Sequence, residues 1–199
     1  MNRTILLASN NQGKLKEISA LLKHIDLHLV IPSDIGLVLN VSEDGQTYEE
    51  NALLKALAFC QASGLPSLAD DTGLEVEALN GAPGLHSARF VQTPNASDAD
   101  RRQYLLECLR GKEKPWKARF VCVVVLALPD GNIISANGCC EGEITEQERG
   151  NSGFGYDHVF LFPAKNKTMA ELGMQEKNKI SHRARAVKKI IPDLKSLVK

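Results

Sequence analysis

Four short segments of the sequence combine polar, charged and glycine residues in patterns suited to a phosphorylated ligand and a metal ion. The first is Ser9-Asn10-Asn11-Gln12-Gly13-Lys14, which lies between an apolar run and a helical pattern. Backbone N–H groups point outward where a strand passes into a helix, and the helix dipole favours an anion there. Gly13 would let the backbone approach a phosphate, and Lys14 would add a positive charge. The segment lacks the Walker A pattern, so a capped turn without a ligand is the alternative interpretation.

The second segment contains the adjacent carboxylates Asp70 and Asp71, which end an apolar run and precede Thr72. Two like charges at a strand edge repel each other unless a cation joins them. Mg²⁺ takes oxygen ligands and needs only one or two protein carboxylates besides phosphate and water. Because side chains alternate along a strand, we expect only one aspartate to face the site. Turn chemistry is the alternative interpretation. A second carboxylate could come from an acidic patch nearer the N-terminus: Glu43, Asp44, Glu49 and Glu50.

The third segment, Ser152-Gly153-Phe154-Gly155-Tyr156-Asp157, places an aromatic residue between two glycines just before a predicted strand. Glycines at these positions let the backbone pass close to a ligand, and the ring of Phe154 offers a face on which a base can stack. A turn that the aromatic side chain simply fills is the alternative.

The fourth segment runs from Lys177 to Arg183 and brings cations and a histidine to the predicted start of the last helix. Lys177, His182 and Arg183 oppose the helix dipole at that place unless an anionic or electron-rich group binds nearby. Such a local conflict indicates a functional site. Surface residues without a ligand are the alternative.

The elements that must position these segments alternate between short apolar runs and helical patterns. We predict helices that begin at Asn10 or Asn11, at the capping box Thr47-Tyr-Glu-Glu50, at Ser97 and at Ser181, and we expect Pro192 to kink or interrupt the last one. The resulting class is α/β with a mixed, partly antiparallel sheet. The predicted strands cover residues 4–8, 27–31, 67–70, 73–79, 117–128, 132–144 and 158–162.

Composition limits the classes of protein that this chain can represent. It has 199 residues, 24 Lys+Arg against 24 Asp+Glu, and 43% hydrophobic residues, which predicts one globular domain over residues 1–199. Zero net charge argues against a general nucleic-acid binder. The sequence shows no apolar run of membrane-spanning length and no secretory signal, so we expect a cytoplasmic protein with no membrane partner. The five cysteines form no C-x-x-C pair, which predicts reduced thiols.

Taken together, the four segments resemble the inosine triphosphatase family, also called the Ham1-like family, in the right order from Ser9 to about Val187. Asn10 and His158 depart from the family pattern, in which glycine and proline are frequent. The residues that carry the resemblance are Ser9-Asn10-Asn11 with Lys14 and Glu17, Asn51-Ala52 with Lys55-Ala56, Ala69-Asp70-Asp71-Thr72-Gly73-Leu74, Gly81-Ala82-Pro83-Gly84 with Ser87-Ala88-Arg89, Gly153-Phe154-Gly155-Tyr156-Asp157, and Ser181-His182-Arg183.

The resemblance implies an XTP/dITP diphosphatase that hydrolyses ITP, dITP, XTP and dXTP to the monophosphate and pyrophosphate with Mg²⁺. It implies a homodimer of elongated, two-lobed subunits with a long mixed sheet flanked by helices and an active site in the cleft between the lobes. Residues 9–14 and Thr72 would bind the triphosphate, and Glu43 and Asp71 would hold the metal. The base pocket would include residues 154–157, and three cationic or imidazole side chains would complete the nucleotide site: Lys177, His182 and Arg183.

Physical chemistry agrees with this set of residues and leaves two questions open. Asp71 is the first choice for activating the attacking water, and Asp70 could share that task. His182 and Arg183 can donate to a 6-oxo group, which adenine lacks, but the sequence does not show what would reject guanine. The alternatives are a pyrophosphatase for another modified nucleotide, in the manner of Maf-like proteins, and a nucleotide sensor without catalysis.

Overall fold

The protein folds as helices and strands around one mixed β-sheet. The computed structural model describes residues 4–197, so residues 1–3 and 198–199 of the expected domain lie outside the described residues. The strands in this range are β1 (Thr4–Leu7), β2 (His28–Val30), β3 (Ser67–Val76), β4 (Pro83–Gly84), β5 (Lys117–Ala127), β6 (Ile133–Ile144), β7 (Phe160–Phe162) and β8 (Lys167–Thr168). The α-helices are α1 (Gln12–Leu22), α2 (Tyr48–Ser63), α3 (Asp98–Leu109), α4 (Met174–Ile180) and α5 (His182–Ser196).

The strand order of the sheet is β2-β1-β3-β5-β6-β7-β8, and β4 pairs with β3. β1 runs parallel to both β2 and β3, whereas β4, β7 and β8 join through antiparallel pairs. Helices occupy the connections between β1 and β2 and between β2 and β3, as parallel strand pairs require. The predicted α/β class with a long mixed sheet is confirmed.

The chain divides into two compact units, each with its own core. Unit 1 comprises the described parts of Met1–Asp71, Cys122–Gly138 and His182–Lys199, and unit 2 comprises Thr72–Val121 and Cys139–Ser181. In unit 1, α1 and α5 pack over one apolar cluster, and α2 covers a second that includes Ala52, Ala56 and Phe59. In unit 2, Leu105 and Leu109 of α3 are fully buried in the cluster that holds Trp116 and Phe160.

The helix starts that matter for the site are largely those that the sequence predicts. Asn11, not Asn10, caps α1, because its side-chain oxygen accepts the N–H of Lys14 at 3.1 Å. Thr47 caps α2 by accepting the N–H of Glu50, but the return bond of the predicted capping box is absent, since the Glu50 carboxylate accepts the N–H of Gln46 instead. Gly64 ends α2 at a φ of 68°, which glycine adopts without steric cost.

Three predicted features differ in the structure. Residues 67–70 and 73–79 were predicted as separate strand pieces, but β3 is continuous through Asp70 and Asp71, and residues 77–79 form a 3₁₀ turn. The prediction that Lys177 lies at the start of the last helix is wrong, because the extended backbone of Ser181 separates α4 from α5. Pro192 does not interrupt α5. The buried residues Ile190 and Leu194 on either side keep the helix packed in the core and outweigh the missing hydrogen bond.

A close backbone contact fixes the start of α5 against β6 within unit 1. A Cβ at Gly138 would lie 2.3 Å from the carbonyl oxygen of His182 and 2.5 Å from the backbone nitrogen of Ala186. We expect Gly138→Ala to lower the free energy of unfolding by about 1–3 kcal/mol, because backbone atoms must move to admit the methyl group. Urea unfolding measures this loss. Gly173→Ala is the matched control, since a Cβ there meets nothing within 4 Å, and equal stability of the two variants would contradict the prediction.

Candidate active site

A buried ion-pair network in unit 1 centres on Asp70 of β3. Its Oδ2 atom lies 3.1 Å from Lys14 Nζ and 3.1 Å from Arg183 Nη2. Arg183 also donates from Nε to the same oxygen at 3.2 Å and from Nη1 to Glu17 Oε2 at 2.5 Å. The side chains of Asp70 and Arg183 are each 1% exposed. The network therefore connects α1, through Lys14 and Glu17, and α5, through Arg183, to β3.

The charges of this network stabilise each other. Burial alone would raise the pKa of Asp70, but the cations Lys14, Arg183 and Lys55 outweigh it and hold that pKa well below its usual range. Burial would lower the pKa of Arg183, but the carboxylates of Asp70 and Glu17 raise it further above its ordinary value. Asp70 is thus an ionised side chain whose function is to bind cations of the protein itself.

Asp71, the next residue of β3, belongs to a second set of contacts with a different character. Lys55 Nζ lies 3.5 Å from Asp71 Oδ1 and 3.0 Å from Glu43 Oε1, and it donates to the backbone carbonyl of Asp70 at 2.8 Å. Asn51 Nδ2 lies 3.4 Å from Asp71 Oδ2. Because side chains alternate along β3, Asp70 turns to Arg183 and Asp71 turns to Lys55.

The two aspartates also differ in their proton affinity. Burial is the largest influence on Asp71 and raises its pKa, and the neighbouring carboxylates of Glu43 and Asp70 add to the increase. Lys55 and Lys14 act in the opposite direction but do not cancel it. The pKa of Lys55 is raised, because its three carboxylate neighbours outweigh the effect of burial. Of the two aspartates, only Asp71 is therefore suited to accept a proton.

Glu43 and Asp71 are the residues of this cluster that could hold a divalent cation. Both present a carboxylate oxygen within 3.5 Å of one ammonium nitrogen, so two hard oxygen ligands already converge on a positive charge. Within residues 4–197, no group of three or more His, Cys, Asp or Glu side chains is arranged to hold a metal. A cation at this place would complete its shell with oxygens of substrate and water, as Mg²⁺ usually does.

The predicted phosphate-binding residues lie beside this network at the start of α1. The Ser9 hydroxyl accepts the N–H of Asn11 at 3.1 Å, and Asn11 in turn caps the helix. Asn10 and Gln12 are exposed, and Gly13 is half-buried. Besides its contact with the Asp70 carboxylate, Lys14 is 3.4 Å from the Asp70 carbonyl oxygen. This helix start therefore combines the ammonium group of Lys14 with the N–H groups of a helix N-terminus.

A separate cluster in unit 2 contains most of the residues predicted for the base. Lys177 Nζ lies 2.5 Å from Asp157 Oδ2 and 5.3 Å from the ring centroid of Phe154. The same carboxylate oxygen accepts the N–H of Phe154 at 2.9 Å. Asp157 and Lys177 are both buried. The positive charge of Lys177 is therefore neutralised by a carboxylate of the protein.

Four further residues were predicted for the nucleotide site: Thr72, Gly155, Tyr156 and His182. Tyr156 is buried, and its hydroxyl donates to the carbonyl of Ser87 at 2.9 Å. Gly155 has a φ of 57° in the left-handed region. Thr72 is half-buried in β3 directly after Asp71, and His182 is buried at the first position of α5.

The structure thus brings Lys14, Glu43, Asp70, Asp71 and Arg183 together in unit 1, and it places Phe154, Asp157 and Lys177 together in unit 2. Sequence reasoning gave no role to three residues that the structure places inside the first cluster: Glu17, Asn51 and Lys55. A signal was present, since Asn51 and Lys55 are four residues apart among the alanines of the buried face of α2, where a lysine needs a partner.

Comparison with known proteins agrees with the sequence resemblance. The family model of the Ham1 family matches residues 5–193, and the chain belongs to this family. It is 48% identical over 185 residues to a dITP/XTP pyrophosphatase of Deinococcus deserti, a match that covers 93% of this chain and 86% of the relative. It is 45% identical over 194 residues to a dITP/XTP pyrophosphatase of Desulforamulus reducens, covering 97% of this chain and 96% of the relative.

Solved structures support the same assignment. A HAM1 protein from Coxiella burnetii is similar with a TM-score of 0.87 and 40% identity, and the match covers 97% of this chain and 98% of that one. In the part of the chain that the structure describes, no helix is long and apolar enough to cross a membrane.

Proposed function

We propose that this protein hydrolyses the non-standard purine nucleoside triphosphates ITP, dITP, XTP and dXTP to the monophosphate and pyrophosphate with the aid of Mg²⁺. The observation that carries the proposal is the convergence of Glu43 and Asp71 on one positive charge beside the helix start that carries Lys14. Relatives that share nearly half of their residues with this chain are named dITP/XTP pyrophosphatases, which supports the choice of substrate.

Triphosphate binding is assigned to residues 9–14 and to Thr72. A triphosphate carries about four negative charges, and the exposed N–H groups of a helix start provide donors for its oxygens. Lys14 is 16% exposed at its side chain, so its ammonium group can reach a phosphate while it stays close to Asp70. Lys55 lies deeper and adds a second positive charge.

Glu43 and Asp71 are assigned as the metal ligands. When bound, Mg²⁺ neutralises phosphoryl oxygens and stabilises the charge that develops on them. The protein's part is to direct the two carboxylates to one place, and Lys55 does this by attracting both.

Asp71 is assigned as the residue that takes the proton of the attacking water. Asp70 is a poor candidate, because Lys14 and Arg183 occupy its Oδ2 atom and its side chain is 1% exposed. Asp71 is 10% exposed at its side chain, so a water molecule can reach its carboxylate. The role of Asp70 is to hold Lys14 and Arg183 in place.

Base binding is assigned to residues 154–157 with Lys177, His182 and Arg183. Phe154 offers a ring for stacking, and its position is fixed by the Asp157–Lys177 pair. His182 and Arg183 are proposed as donors to the 6-oxo group of hypoxanthine or xanthine, a role that for Arg183 is additional to holding Asp70. Adenine presents a donor at that position, and each donor left unpaired costs about 1–3 kcal/mol. We also propose that the protein acts as a cytoplasmic homodimer without a nucleic-acid partner.

Analysis of the products tests this proposal. With ITP and Mg²⁺ the purified protein should release IMP and pyrophosphate, and EDTA should stop the release. The kcat/KM for ITP and XTP should exceed that for ATP by at least about tenfold to a hundredfold, as expected for one or two mismatched polar contacts. Release of orthophosphate would contradict the proposed cleavage at the α-phosphorus. Equal efficiency with ITP, XTP, GTP and ATP would contradict the substrate assignment and favour another modified nucleotide.

A further inference from the structure

Helix α3 holds the backbone of Gly155 at both of its polar groups. Asp98 Oδ2 accepts the N–H of Gly155 at 2.7 Å, and Arg102 Nη1 donates to its carbonyl oxygen at 2.9 Å. Asp98 and Arg102 are four residues apart and therefore share one face of the helix. Since Gly155 has no side chain, these two bonds decide how the peptide groups on either side of it are oriented.

The helix that supplies this pair is a rigid support. Leu105 and Leu109 of α3 are fully buried in the core of unit 2, and Ser97 and Asp100 form a capping box at its N-terminus. Arg102 also lies 2.9 Å from Glu148 Oε2, so its guanidinium joins Gly155 to the residues that lead into the same loop. The pair thus connects a well-packed helix to a segment without regular structure.

The other side of the loop has its own attachment. Asp157 Oδ2 accepts the N–H of Phe154 and binds Lys177. Phe154 therefore lies between two supports, one formed by Asp157 and Lys177 and the other by Asp98 and Arg102. Loss of either support would let the ring and its neighbouring peptide groups change direction.

A purely structural role does not explain why Arg102 is buried, because burying a guanidinium group costs free energy. Its side chain is 10% exposed, and in the part of the chain that is described its Nε atom is buried without a hydrogen-bond partner. Its carboxylate partner Glu148 is 40% exposed at the side chain, and ion pairs of this kind contribute little to stability. An apolar side chain at this position of α3 would pack at lower cost, which indicates that the contact with Gly155 is the reason for the arginine.

We infer that Asp98 and Arg102 are positioning residues that strengthen binding of the base by fixing Gly155 and, through it, the stacking face of Phe154. This inference rests on the proposed function, in which residues 154–157 contact the base. Neither residue acts on the phosphates or on the attacking water. Their removal should therefore weaken recognition of the base and leave recognition of the triphosphate unchanged.

Kinetics of Arg102→Ala and Asp98→Ala test the inference. For each variant we expect the KM for ITP to rise about tenfold, as for one lost buried hydrogen bond, while kcat for ITP changes by less than about twofold. The inhibition constant of inorganic tripolyphosphate, which has no base, should stay at the wild-type value. Arg102→Lys should restore part of the affinity for ITP, because an ammonium group can still donate to the Gly155 carbonyl.

Arg110→Ala is the matched control, since Arg110 is an exposed cation at the end of the same helix, and its kinetics should equal those of the wild type. An unchanged KM for ITP in Arg102→Ala would overturn the inference. So would a parallel loss of tripolyphosphate inhibition, which would reveal general disruption of the fold. If Arg102→Ala does not fold, Asp98→Ala and Arg102→Lys decide by the same criteria. A wild-type protein without ITP hydrolysis would instead overturn the proposed function, and this inference with it.

Discussion

Replacement of Asp71 by asparagine is expected to reduce kcat for ITP by about 10³-fold or more. A general base usually contributes about 10²- to 10⁴-fold, and the substitution also removes a negative charge that would bind the metal. The amide has the same shape, so Asn51 and Lys55 keep their neighbours. Burial raises the pKa of Asp71, which means that the folded protein disfavours the charge that the substitution removes. Stability should therefore be retained, and steady-state kinetics together with thermal unfolding measure the two effects separately.

The matched control for Asp71→Asn is Asp130→Asn, the same chemical change at an exposed turn between β5 and β6. Its kcat should equal that of the wild type. A kcat of Asp71→Asn within about tenfold of the wild type would remove Asp71 from the reaction, because even a modest general base contributes about a hundredfold. Loss of the folded state in Asp71→Asn would contradict the stability argument.

Arg183→Ala is expected to lower the free energy of unfolding by about 3–5 kcal/mol, the usual effect of removing one partner of a buried ion pair. Arg183 is buried completely, and its loss leaves Glu17 and Asp70 with excess negative charge inside unit 1. If the variant still folds, its kcat/KM for ITP should fall by a factor equivalent to at least about 2 kcal/mol, since Asp70 and Lys14 lose their arrangement. Urea unfolding and initial-rate kinetics measure both quantities.

A double variant separates charge from packing in this prediction. Adding Glu17→Gln to Arg183→Ala removes the buried negative charge that has lost its arginine, so the double variant should be more stable than the single one. Arg185→Ala, an exposed arginine of the same helix, is the control and should change stability by less than about 0.5 kcal/mol. A single variant as stable as the control would contradict the importance of the network.

Much of the fold follows from local sequence signals. Asn11, Thr47 and Ser97 have side chains that cap helices, and each does so in the structure. The β-branched run before Pro129-Asp130-Gly131 predicts the pair β5 and β6 with similar clarity. Such signals act over a few residues, which is why the sequence is sufficient to find them.

The predictions of secondary structure were wrong where tertiary packing or ion pairs outweigh a local preference. Pro192 is expected to interrupt a helix, yet the buried side chains around it keep α5 continuous. The pair Asp70-Asp71 suggests a break in a strand, but each carboxylate has its own cations on its own side of β3, so the strand continues.

The candidate site was predictable in its residue types but not in its pairings. Arg183 and Lys177 are cations at the position where a ligand was expected, and sequence alone cannot show that Glu17, Asp70 and Asp157 bind them. These contacts join residues far apart in the chain, and only the complete fold determines them. Sequence reasoning gave Lys55 no role for the same reason, since its carboxylate partners lie on other elements.

The bond between Arg183 and Glu17 spans 166 positions of the sequence. During synthesis on the ribosome, Glu17 leaves the exit tunnel long before its partner Arg183. A polypeptide that ends before α5 would leave Glu17 without its arginine and the apolar side chains of α1 without the helix that packs on them. We expect such truncated chains to be recognised as unfolded and degraded, so α5 also decides whether the charged cluster of unit 1 can form.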